Sequence, residues 1–289
     1  MWVILSLTSA VLVAFRNVVT RKLTFTQRRE SILFSTFVFS AVISLFLLFF
    51  IDYEQISLEF FIWAAVAGAV DVLTLALFIR AISLDDIGRT FPLVAFTPVF
   101  IMGTSYLILG ETPSLLGTVG IISIVLGAYL LRIENLRQGI FAPFKALFQE
   151  PASRIMLLAA FLFSLLAPSF KKTVVLSSPF AALVGTQVSS SITLIIYLMF
   201  RRTLKINLKD ISKRFPAFLL IGLISFGAGI SLLIAFQEAL AAYAVSIKRT
   251  SILFTIVFGF LFFKEKNVLR SLGAGLFMLL GIFLISIAG

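Results

Sequence analysis

A chain with no histidine and no cysteine has lost the usual proton shuttle, the commonest metal ligands and the thiolate nucleophile, so its chemistry rests on a few carboxylates, cations and hydroxyls. Asp71 stands at the centre of an apolar run, with Thr74 about one helical turn further on. An acid at that depth calls for a cation, a proton or a substrate amine. Lys248 or Arg249 is a candidate clamp for it, and a coupling or substrate role is the alternative. Lys248, Ser251 and Thr255 follow i, i+3 and i+7 spacing, which on a continuous helix makes one polar stripe able to line water. The bland alternative has Lys248 and Arg249 snorkelling to the nearer interface beside Tyr243. Arg16, beside Asn17, could hold a carboxylate or phosphate through its planar fork, or extend toward Arg21 and Lys22. Thr90, Thr97 and Thr104 recur every seven residues, and Pro92 and Pro98 free backbone carbonyls in the same run. Equally, the threonines could bond their own helix and the prolines merely bend it. Gln187 is a weaker candidate, and the Ser189, Ser190 and Ser191 stretch beside it reads as helix packing.

These residues must be positioned by elements that are almost entirely apolar. Of 289 residues, 60% are hydrophobic and 13% charged, with a mean hydropathy of +1.12. A soluble surface needs about twice that share of charge, so the chain is expected to be solvated by lipid. Ten apolar segments follow, at roughly 2 to 20, 31 to 51, 60 to 80, 89 to 109, 114 to 131, 153 to 170, 179 to 200, 215 to 237, 243 to 263 and 269 to 288. Each is long enough to cross a bilayer as a helix. The first has no basic leader and no clear cleavage site, so it reads as a retained helix rather than a signal peptide.

The longest polar stretch, Arg132 to Arg154, contains Pro143 and Pro151 and reads as a linker between two halves. Placing Glu111 on Glu265, 154 residues apart, also aligns Gly120 with Ala274, Gly127 with Gly281 and Tyr129 with Phe283. A second match, Phe96 to Phe100 on Phe254 to Phe258, requires an offset of 158, so the register of the fourth and ninth segments stays open. Repeats with an odd number of helices enter the membrane from opposite sides, the inverted-repeat plan of many secondary transporters. Charge supports the inversion. Arg21, Lys22, Arg28, Arg29, Arg80 and Arg89 border the first and third loops, whereas acids alone occupy the second and fourth. In the second half the basic loops follow the seventh and ninth segments. The linker falls on the same side, which the positive-inside rule makes cytoplasmic, with both termini outside. The net charge of +11 is then explained by orientation and anionic lipid rather than by nucleic acid.

The order of motifs resembles the EamA-type branch of the drug/metabolite transporter superfamily over nearly the whole chain. It rests on Thr97-Pro98-Val99-Phe100 ending in Leu109-Gly110-Glu111, before a helix with Gly117 and Gly127. In the second half it rests on Phe262-Phe263-Lys264-Glu265, before a helix with Gly273 and Gly281. The ninth segment departs from the pattern, carrying Ser246-Ile247-Lys248-Arg249-Thr250-Ser251 where a proline is expected. The resemblance implies an all-α membrane protein of ten transmembrane helices in two inverted five-helix repeats: 1–137, a linker 138–152, and 153–289. Pro98, Gly110, Glu111, Gly127, Glu265 and Gly281 are its structural motif positions. It also implies cytoplasmic termini, against which the charge-based orientation is kept here. A central cavity between the repeats would carry small metabolites by alternating access, in export or exchange.

Among function classes, a secondary transporter accounts for repeat, charge inversion and intramembrane charges together. A channel or multidrug exporter is the alternative. An intramembrane enzyme is disfavoured, because the one acidic pair, Asp85-Asp86, adjoins a loop. No phosphate-loop motif is present, so no ATPase step is expected, and neither a cofactor nor a metal. Arg16, Lys248 and Arg249 outnumber Asp71, favouring an anionic or zwitterionic, amino-acid-like solute. The expected partners are that small molecule and membrane lipid, with no nucleic acid, in a monomer or homo-oligomer of the cell membrane.

Overall fold

A computed structural model describes residues 1–24, 29–53, 56–84, 91–132, 150–200, 215–263 and 268–289. Asp85, Asp86, Thr90 and Glu265, most of the linker 138–152 and most of the basic loop residues lie outside the described residues, as does the side chain of Pro92. All regular structure among the described residues is helical. The helices are α1 (Trp2–Thr24), α2 (Arg29–Ser44) continued by the 3₁₀ turn η1 (Leu45–Phe50), α3 (Leu58–Leu84), η2 (Phe91–Phe96), α4 (Thr97–Leu109) and α5 (Leu115–Arg132). The second half supplies α6 (Pro151–Val175), α7 (Pro179–Phe200), α8 (Phe215–Glu238), α9a (Ala241–Lys248), α9b (Ser251–Phe263) and α10 (Val268–Ala288).

Six described spans are long and apolar enough to cross a membrane: Trp2–Thr20, Leu58–Phe78, Pro151–Val175, Pro179–Phe200, Phe215–Glu238 and Ala241–Gly259. Four shorter apolar helices, Thr36–Phe50, Leu93–Leu109, Leu115–Leu130 and Gly275–Ala288, occupy the remaining segments read from the sequence. Large side chains such as Phe49, Leu107, Leu115 and Phe200 stand more than 80% exposed. That surface is unworkable in water and ordinary against lipid tails.

Two compact units organise the helices, and each draws on both halves of the sequence. The first comprises Met1–Val72 and Ser169–Glu238. Within it α1 and α8 run antiparallel. The Trp2 amide donates to Glu238 Oε2 at 3.1 Å, Ser9 Oγ donates to the Ala228 carbonyl at 2.8 Å, and Leu23 packs on Phe218. α3 runs parallel to α7, because Phe60 meets Gly185 while Gly68 meets Ser189 and Ser190. Glu59, in the first turn of α3, pairs with Lys172 in the last turn of α6 at 3.4 Å. Each of these two charges complements its own helix dipole.

The second unit comprises Leu73–Pro168 and Ala239–Gly289. Its axis is the antiparallel pair α5 and α10. A Cβ on Gly120 would fall 2.7 Å from Ile285 Cγ1 and 2.9 Å from the Gly281 carbonyl, and one on Gly281 would fall 2.6 Å from the Gly120 carbonyl. Backbone therefore meets backbone where only glycine fits. Ser123 Oγ adds a 2.7 Å bond to the Phe277 carbonyl. Gly127 is buried, whereas Gly273 has open space where a side chain would be. Gly117 instead makes room for the Tyr243 hydroxyl.

α4 and α9b begin at Thr97 and Ser251, 154 positions apart, the same offset that places Glu111 on Glu265.

Candidate functional site

Within the first unit, close contact between α3 and α7 brings Asp71 to Ser190. A Cβ on Gly68 would lie 2.7 Å from the Ser190 amide nitrogen, and one turn on, Ser190 Oγ donates to Asp71 Oδ2 at 3.3 Å. Two other α7 hydroxyls bond their own helix, Thr186 to the Ala182 carbonyl at 2.6 Å and Ser191 to the Gln187 carbonyl at 2.7 Å. Ser190 is thus the member of the serine stretch that faces a carboxylate, a role its neighbours in sequence concealed. Arg16 of α1, in the same unit, is drawn to Asp71 by charge attraction. Arg16, Asp71 and Gln187 are half-buried and Asn17 is exposed.

Within the second unit, helix four is built as η2 followed by α4, with Pro98 in the first turn of α4, where the missing amide costs nothing. Thr97 is fully buried and donates to the Val94 carbonyl at 2.7 Å. Thr104 donates to the Ser164 carbonyl of α6 at 2.8 Å. Both hydroxyls are therefore spent on backbone. α4 ends at Gly110, whose φ of 71° is the left-handed cap that glycine favours. The turn directs Glu111 to the start of helix nine, where Oε2 accepts from the Ala241 amide at 2.9 Å. Tyr243 answers from the other helix, its hydroxyl accepting from the Ser114 amide at 2.9 Å. The Leu109-Gly110-Glu111 motif is thus a cap on the neighbouring helix.

Helix nine is interrupted at Arg249 and Thr250. The Arg249 amide reaches the Val245 and Ser246 carbonyls at 2.9 and 3.1 Å, and the Thr250 amide reaches Ile247 at 3.0 Å. Thr250 Oγ1 also takes the Ile247 carbonyl, at 2.7 Å, a back-bond that tightens and bends a helix. The tightened turn falls between Lys248 and Ser251 of the polar stripe, and Thr255 Oγ1 donates to the Ser251 carbonyl at 2.7 Å. Arg249 Cζ lies 6.0 Å from the centre of the Phe163 ring, and its Nε is buried without a hydrogen-bond partner. Phe163 is a neighbour no spacing rule pointed to. Lys248 is half-buried and has interactions of its own. Among the described residues no cluster of three or more potential metal ligands occurs.

A solved crystal structure of a protein 9% identical to this one superposes with a TM-score of 0.78, covering 99% of this chain and 96% of the other. At that identity the likeness is one of fold alone. No curated protein matches the sequence. The EamA-like transporter family matches residues 1–133 and 152–287, so both matched segments carry the same kind of repeat and the stretch between them coincides with the polar linker. On that match, covering most of its length, the chain belongs to the EamA-like transporter family.

Proposed function

We propose that this protein is a secondary transporter that moves a small organic metabolite, anionic or zwitterionic and amino-acid-like, by alternating access through a central cavity between its repeats. The observation that carries the reading is a matched change of helix geometry, α4 following the 3₁₀ segment η2 and α9b following the tightened turn at Arg249 and Thr250, with the two helices starting at equivalent positions of the two repeats. Irregular helices are a usual means by which carriers expose polar backbone to a solute in mid-membrane. Family membership makes transport the general activity, and the paired irregularities support a carrier over a pore. Candidates for contact with the solute are Arg16, Asn17, Asp71 and Gln187, with Thr90, Thr97, Lys248, Arg249, Ser251 and Thr255. Thr97 and Ser251 begin α4 and α9b.

The proposal extends to topology. Ten crossings in two inverted repeats, 1–137 and 153–289 with the linker 138–152 between them, place the basic loops in the cytoplasm and both termini outside, in the cell membrane. Transport runs as export or exchange.

A thermal-shift screen of metabolites on the purified protein, followed by flux of each stabilising compound in proteoliposomes, tests the substrate class. Carboxylates and amino acids are expected among the hits. A hit list of organic cations alone would overturn the anionic or zwitterionic assignment and favour a multidrug exporter.

A further inference from the structure

Arg16 has Asp71 and Lys172 has Glu59, but among the described residues no carboxylate meets Arg249. Its Nε is buried with no hydrogen-bond partner, and its Cζ lies 6.0 Å from the centre of the Phe163 ring. Phe163 in turn packs edge-on against Phe78 at 6.1 Å, on a cluster formed by Ala81, Leu93, Val94 and Met156. A desolvated guanidinium is costly unless an anion answers it. Contact with the Phe163 ring leaves the planar edge of the guanidinium, Nε included, as the place where an oxyanion can be held by two parallel bonds. Neutralising one guanidinium takes one negative charge, which fits a carboxylate better than a doubly charged phosphate.

We infer that Arg249 is an anion-binding residue that takes the carboxylate of an organic monoanion with an aromatic or branched apolar body, Phe163 and Phe78 forming the wall for that body. The inference rests on the transporter reading and gives its substrate a chemical class.

Calorimetric titration of the full chain in detergent with phenylacetate, acetate, benzylamine, phenylacetamide and inorganic phosphate tests it. Phenylacetate binds, acetate binds more weakly, and the amine and amide do not. R249Q and R249K both weaken phenylacetate by at least about tenfold, because lysine keeps the charge and loses the fork. F163A weakens phenylacetate and leaves acetate unchanged. R249Q melts at or above the parent temperature, since an unanswered charge is removed. No binding of phenylacetate, a preference for phosphate, or a Tm lowered by several degrees in R249Q and restored in R249K would each overturn the assignment, the last by making Arg249 structural. Binding lost in R249Q while the parent protein shows no carrier flux would sink the transporter reading and leave the site standing. Saturable flux of a solute unaltered by R249Q would do the reverse.

Discussion

At the scale of single residues, Asp71 and Glu59 have partners among the described residues, whereas the buried Nε of Arg249 has none there. Asp71 is held by Ser190 and by the field of Arg16, so removing one member of the pair should cost more than removing both. D71N is expected to lower stability by about 3 kcal/mol, and R16Q/D71N to recover a large part of that loss; a double-mutant cycle on thermal melting checks it. Additive losses would show that Arg16 and Asp71 act separately. Glu111 is a cap, so E111A should cost about 1 kcal/mol with the affinity of any bound solute unchanged. Sequence made Asp71, Arg16 and Arg249 visible because a charge in an apolar run stands out. Their partners were hidden: nothing in the pattern distinguishes Ser190 from Ser189 or Ser191, or Phe163 from the chain's other phenylalanines, since those relations exist only once helices distant in sequence pack.

At the scale of elements, glycine spacing and proline placement carried much of the structure. Gly120 and Gly281 face each other across α5 and α10, where a Cβ on either would fall 2.6 to 2.9 Å from the other's carbonyl, in keeping with the association of helices in lipid through small residues. At Gly273 no described atom lies within 4 Å of where a Cβ would be, because a small residue permits close approach without requiring it. G120L and G281L should each lower the melting temperature sharply, while G273A leaves it unchanged; equal effects at all three positions would contradict the packing described for α5 and α10. The ninth segment was read as a departure, since it carries Ser246 to Ser251 where a proline is expected. The structure shows a tightened turn there: Thr250 back-bonds to Ile247, and the Thr250 and Ile252 amides take the carbonyls three residues back, Ile247 and Arg249. Accordingly, T250A should lengthen the continuous helix and reduce transport several-fold without loss of fold, measured by flux and circular dichroism.

At the scale of the whole molecule, apolar composition and ten hydrophobic segments foretold an all-helical membrane chain, and the described helices occupy those segments. The compact units were not legible. Each combines helices from both halves of the sequence, and a repeat found by alignment carries no information about which copies pack together. Orientation is testable cleanly because the chain has no cysteine. A cysteine at Lys145 should react with an impermeant maleimide only after the cell is opened, and one at Asp52 in intact cells; the opposite pattern reverses the proposed topology. Counterflow in proteoliposomes tests the central claim most directly, using a solute from the binding screen. A carrier gives uptake that saturates with concentration and accelerates when the same solute is loaded inside; uptake rising linearly with concentration and indifferent to the internal solute would contradict alternating access.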